Sequence, residues 1–226
     1  MKEHIILLHG ALGSENQFSQ LKESLADKFE VHSMNFEGHG GKTSNKAFST
    51  QLFTENLATY LKENSIQNTH IFGYSMGGYV ALNAALQIPE KIQSIYTLGT
   101  KFNWSIESAA KEVRMLNPQK IEEKVPKFAK RLADLHFPLD WKEIMNKTGK
   151  MMNQIAEREK LKEIDFKRIK HKVTIGVGSL DNMVSYEESL TVANQLTNSK
   201  LIELNNVKHP IESLELNTLL NFIDIY

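Results

Sequence analysis

The sequence predicts an α/β protein built on about six parallel strands with helices on both faces. Three observations carry this: short unbroken apolar runs recur along the chain, stretches with helical spacing separate them, and every connection is long enough for a helical crossover. Strands covered on both faces read as continuous apolar runs rather than as alternation. At 226 residues and 41% hydrophobic, the chain can bury one sizeable core.

The elements follow in order. Residues 4–8 form a buried strand that ends at His9-Gly10. Ser14 suits the cap of a helix whose Phe18, Leu21 and Leu25 share one face and which runs to about Lys28. A strand is expected near Glu30 to Asn35, a helix from Ser49 to Glu63 and a third strand over 69–74. Met76 to Gln87 is a helix ended by Pro89, and Ile92 to Leu98 is a strand stopping at Gly99. From Lys101 to Asp165 the strand pattern lapses into three or four helical stretches, so residues 101–165 read as a helical insertion in a core of 1–100 and 166–226. The pattern returns with a strand at Lys172 to Val177, a helix at Tyr186 to Leu196, a strand at Lys200 to Leu204 and a last helix opened by Pro210.

Composition narrows the function. With 27 basic and 27 acidic residues the formal net charge is zero, which recommends neither nucleic acid nor an anionic membrane as partner and leaves a small molecule. The absence of cysteine excludes disulfides, thiolate metal sites and a cysteine nucleophile. Ile5 to Leu8 is too short for a signal-peptide core or a membrane span, so a cytoplasmic protein is expected. Gly38-His39-Gly40-Gly41-Lys42-Thr43 ends like a phosphate-binding loop, but that motif requires a glycine where Phe36 stands.

The informative stretch is Gly73-Tyr74-Ser75-Met76-Gly77, a G-x-S-x-G pattern between a strand and a helix. In that context a sharp turn lifts the serine above the end of the sheet, and the helix N-terminus favours developing negative charge. A serine hydroxyl needs a base to take its proton and a carboxylate to orient that base. Of the eight histidines, His9 and His39 read as structural supports of their loops.

His9-Gly10 after the first strand, Ser75 at the elbow, Asp181 after a late strand and His209 before the last helix stand in one order. This arrangement resembles the α/β-hydrolase superfamily over nearly the whole chain outside the insertion. Gly38-His39-Gly40 adds to the likeness, although Asn35 and Glu37 stand where the family often has an aspartate. The resemblance implies strand order 4-3-5-6-7-8 in the family's convention, the first two strands being absent. It implies Ser75 as nucleophile, His209 as base and Asp181 as the orienting acid; the other acid position used in the family, after the fourth strand here, holds Leu98-Gly99-Thr100-Lys101 without a carboxylate. The backbone amides of Ala11 and Met76 would form the oxyanion hole, and no cofactor or metal is called for.

The expected activity is hydrolysis of a small carboxylic ester through an acyl-serine intermediate. Leu12 and Trp104 are the candidate pocket residues, and methionines 115, 145, 151 and 152 of the insertion either pack it or line the pocket. Two rivals share the fold. The Leu8–Ser14 and Gly73–Gly78 stretches are also similar to the menaquinone-pathway synthase that eliminates pyruvate, whose polycarboxylate substrate would call on Arg114, Lys127 or Arg131. The other rival is a ligand-binding signalling protein with slow turnover. Oligomeric state is left open.

Overall fold

A computed structural model describes residues 2–223. Six strands, β1 (Glu3–Leu8), β2 (Phe29–Met34), β3 (Thr69–Tyr74), β4 (Ile92–Leu98), β5 (Lys172–Gly178) and β6 (Ser199–Leu204), form one sheet in the order β2-β1-β3-β4-β5-β6. Every pairing is parallel. Counting β1 as the family's third strand turns this into 4-3-5-6-7-8, the expected order.

Helices cover both faces because alternate residues of each strand point to opposite sides. Ile5 and Leu7 pack with Phe18, Leu21, Phe72 and Phe222, beneath α1 (Ser19–Leu25) and α10 (Leu216–Ile223). Ile6 and Leu8 face the larger cluster, which includes Phe53, Leu57, Val80, Ile95, Ile175 and Val192 from α2 (Thr50–Glu63), α3 (Met76–Gln87), β4, β5 and α9 (Tyr186–Gln195). A fully buried side chain such as Phe53 stabilises the fold by roughly 1.5–3 kcal/mol.

Local sequence explains the helix ends. Ser49 caps α2 by accepting from the Leu52 amide at 3.0 Å, and Ser185 and Glu188 form a reciprocal capping box at the start of α9. Two expectations shift. The helix after Ser14 is a 3-10 turn (Glu15–Phe18) followed by the short α1, since Ser14 caps the turn through the Asn16 amide and turn bonds at Ala26 and Lys28 close the chain after Leu25. Pro210 leads into another 3-10 turn (Ile211–Ser213), and α10 begins only at Leu216.

Between β4 and β5 the chain is helical: α4 (Ile106–Met115), α5 (Pro118–Lys124), α6 (Pro126–His136), α7 (Trp141–Gln154), a π turn (Ile155–Glu159) and α8 (Glu163–Arg168). Trp141, Met145, Ala129 and Leu132 make a small cluster of their own within this segment. Hydrogen bonds tie it to the sheet-bearing part, among them one from the Leu161 amide to the Tyr79 hydroxyl at 2.7 Å and a pair through which His136 reaches both Gly40 and Leu12.

Register positions the site. Leu8 pairs with Gly73, Tyr74 with Leu98 and Leu98 with Gly176, so these strands finish at one edge of the sheet. The order reverses between β1 and β3, which opens the crevice where ligands of open α/β sheets bind.

Candidate active site

Ser75 sits in that crevice at a turn with φ 50° and ψ −115°, backbone that L side chains rarely adopt. The turn is held from several directions. The Ser75 amide donates to the Leu98 carbonyl at 2.8 Å, while the Ser75 carbonyl accepts from the Gly78 amide at 3.1 Å and the Thr100 hydroxyl at 3.1 Å. Any side chain at Gly77 would collide with the Leu8 carbonyl, so strand and helix can approach this closely only with glycine there. Although Ser75 precedes α3, its side chain makes no capping bond, which leaves the hydroxyl free for other chemistry.

Asp181 and His209 meet on the neighbouring loops after β5 and β6. His209 Nδ1 donates to Asp181 Oδ2 at 2.8 Å, and Asp181 Oδ1 accepts from the amides of Met183 at 2.8 Å and Val184 at 2.9 Å. Burial alone would raise the Asp181 pKa. The His209 hydrogen bond and charge, together with the two amides, outweigh it and hold the carboxyl below its usual range. With Nδ1 committed as donor, Nε2 is the nitrogen left to accept a proton. Tyr74, next to the serine, fixes the loop by donating its hydroxyl to the His209 carbonyl at 2.9 Å. Gly99, at φ 58°, lies beneath the pair; a Cβ there would be 3.4 Å from both Asp181 Oδ2 and His209 Nδ1.

Ser75 and His209 line one mainly apolar cavity together with Ala11, Met76, Trp104, Met151, Met152 and Ile155. Ile155 belongs to the π turn, a local distortion that often re-aims side chains at sites. Of the two pocket candidates, Trp104 lines this cavity and Leu12 does not. Leu12 has φ 59°, its carbonyl accepts from His136 Nε2 at 3.1 Å, and its side chain packs between the large cluster and the Trp141 cluster. Met145 is buried beside Trp141, and Met115 is half exposed. The basic candidates also lie elsewhere. Arg114 and Lys127 are exposed, and Arg131 pairs with Glu212 on the outer surface. Two cavity residues that the sequence reading missed are Lys101 and Glu112.

The two histidines expected to be structural belong to a buried group of three. His9 Nε2 accepts from the Phe36 amide at 3.2 Å, so Nδ1 carries the proton donated to the Gly10 carbonyl at 2.8 Å. His136 Nδ1 accepts from the Gly40 amide at 3.0 Å, and His39 lies between the two, its ring 5.1 Å from His9 and 5.8 Å from His136. Burial pushes His9 from 6.5 down to about 4, and burial likewise lowers His39 and His136. These depressed values make the unfolded chain the better proton binder below pH 6.5. Stability is therefore expected to fall as pH drops from 6.5 to about 4, by about 3 kcal/mol from His9 alone. Urea unfolding across a pH series measures this; stability that is flat from pH 6.5 down to about 5, where carboxylates titrate little, would contradict it.

Asn35 and Glu37 also acquire definite partners. Asn35 Oδ1 accepts from the Glu15 amide at 2.9 Å, and the Glu37 carboxylate accepts from Ser44 at 2.9 Å and Asn56 at 2.9 Å. One group of potential metal ligands, His4, Glu30 and His32, has its ligand atoms within 4.8 Å of one another. It lies toward the start of β1 and β2, the opposite end of the strands from Ser75. Among the described residues no helix is long and apolar enough to cross a membrane.

Comparison with known proteins agrees with this architecture. Residues 3–140, more than half of the chain, match the family described as alpha/beta hydrolase fold. The chain is 31% identical over 91 residues to a pimeloyl-acyl-carrier-protein methyl ester esterase of Nitrosomonas europaea, covering 40% of this chain and 34% of that protein. It is 25% identical over 158 residues to an sn-1-specific diacylglycerol lipase of Xenopus laevis, covering 68% of this chain and 51% of the lipase. The match thus spans about a third to a half of these relatives. Among solved structures, a 2-hydroxy-6-oxo-6-phenylhexa-2,4-dienoate hydrolase from Rhodococcus superposes with a TM-score of 0.79 at 18% identity, over 99% of this chain and 91% of that one. The parallel sheet, the strained serine turn and the family match lead to one conclusion: this chain belongs to the α/β-hydrolase fold family.

Proposed function

We propose that the protein is a serine hydrolase that cleaves a small carboxylic ester. The observation that carries this reading is the Asp181–His209 pair opening onto the same apolar cavity as an uncapped Ser75 hydroxyl. Ser75 Oγ attacks the ester carbonyl while His209 Nε2 takes its proton, and Asp181 stabilises the resulting imidazolium. The tetrahedral oxyanion rests against the amides of Ala11 and Met76, both on the cavity wall, each such donor lowering the barrier by roughly 3–4 kcal/mol. Collapse breaks the bond to the alcohol, which leaves with the proton from His209. Water activated by the same imidazole then releases the acid and regenerates Ser75.

In this reading residues 101–165 act as a cap over the core of 1–100 and 166–226, and the apolar wall they supply suits an acyl chain of short to medium length. The placement of Arg114, Lys127 and Arg131 away from the cavity supports hydrolysis over elimination from a polycarboxylate. A fluorophosphonate probe followed by peptide mapping is expected to label Ser75. Modification of a different serine, with Ser75 untouched, would refute the assignment.

A further inference from the structure

The inner face of α4 breaks the rule that helices bury apolar residues. Its buried residues are Ala109 and Glu112, and Glu112 is only 3% exposed. Glu112 Oε1 lies 3.4 Å from Lys101 Nζ, which also donates to the Met183 carbonyl at 3.1 Å and sits 5.9 Å from the centre of the Trp104 ring. Glu112 Oε2 has no hydrogen-bond partner. Both residues line the cavity that holds Ser75 and His209.

Stability does not account for this arrangement. Removing two charges from water costs several kcal/mol per ion, and apolar residues of similar volume often replace such a pair without loss. A carboxylate oxygen left without a donor adds a further cost of about 1–3 kcal/mol or more. The pair is electrically balanced, so it offers no net attraction to a carboxylate. What it does offer, on a mainly apolar wall that includes Met76, Trp104, Met151, Met152, Ile155 and Val184, is one strong acceptor.

We propose that the Glu112 carboxylate is a specificity determinant that receives a hydrogen-bond donor, a hydroxyl or an amine, carried on the acyl chain of the substrate, with Lys101 holding the carboxylate in place. The preferred ester then has an apolar acyl chain ending in a donor, not a plain alkyl chain and not a dicarboxylic monoester. A second carboxylate would set its oxygens against that carboxylate. Hydrogen bonds to charged groups contribute about 1.5–3 kcal/mol, which corresponds to about tenfold or more in selectivity.

This inference rests on the ester-hydrolase reading, and the test separates the two. Wild-type protein is assayed with p-nitrophenyl hexanoate and octanoate, their ω-hydroxy and ω-amino counterparts, and the dicarboxylic monoesters of the same lengths. The expected result is a kcat/KM at least about tenfold higher for a donor-bearing ester than for the alkyl ester of equal length. That ratio should fall to about one in Lys101→Met/Glu112→Leu, which removes both charges together and so avoids stranding one of them. Thermal melting and fluorophosphonate labelling of Ser75 show whether the double variant keeps its fold and site, and Glu112→Gln, expected to give an intermediate ratio, provides a milder second variant. Equal rates for alkyl and donor-bearing esters, a ratio unchanged in folded variants, or preference for the dicarboxylic monoester would each overturn the inference while leaving ester hydrolysis standing. Failure of wild type to cleave any ester or to react with the probe would instead overturn the broader reading.

Discussion

Replacing Ser75 with alanine is expected to lower kcat for ester cleavage by about 10⁵–10⁶-fold, the scale seen when the nucleophile of a comparable triad is removed. The size of the effect follows from the proposed mechanism: without Oγ no acyl intermediate would form, and the remaining acceleration would come from substrate binding and the proposed oxyanion donors. Folding offers no alternative explanation. Alanine keeps the Cβ and the unusual φ of 50°, the Ser75 amide still reaches Leu98, and the hydroxyl makes no capping bond to lose. The melting temperature should therefore stay close to that of wild type. Undiminished cleavage by folded Ser75→Ala would remove the serine from the mechanism.

The second large effect is expected from Asp181→Asn, with turnover falling by about 10⁴-fold at neutral pH. Asparagine can still accept the Met183 and Val184 amides through its oxygen, so the loop keeps its shape. Its NH₂ then faces His209 Nδ1, which must become an acceptor, and the imidazole proton moves to Nε2, where it blocks proton abstraction from Ser75. Steady-state kinetics paired with a melting curve measures this. A folded Asp181→Asn enzyme within about tenfold of wild type would mean that another group orients the base.

The strands were legible because burial on both faces leaves a strong compositional trace, as in Ile5 to Leu8 and Ile71 to Phe72. The placement of Ser75, Asp181 and His209 on the loops after β3, β5 and β6 was legible because a motif and its chain order mark strand ends. The cavity wall was harder to read. Helical spacing says which residues share a face but not what that face meets, so Glu112 reads as one more charge on an amphipathic helix until the turn after β4 brings Lys101 to it. Leu12 packs between two hydrophobic clusters instead of on the cavity wall, and its carbonyl meets His136, 124 positions away. Arg131 looked like a possible anion ligand because its partner, Glu212, lies 81 positions away and past the last strand. The last two depend on long-range contacts that leave no local pattern.

His136 sets a condition on re-engineering the protein. Its ring accepts from the Gly40 amide and donates to the Leu12 carbonyl, one residue beyond the proposed oxyanion amide of Ala11. The helical segment is thus wired into the backbone that would stabilise negative charge, and it is not an exchangeable lid. A chimera whose new helices lack such a side chain would leave a part-buried amide and a carbonyl without partners, and Ala11 would lose a brace even if every new side chain suited the new substrate. Grafts intended to change substrate range need a side chain at that junction that can donate and accept at once, such as histidine, asparagine or glutamine.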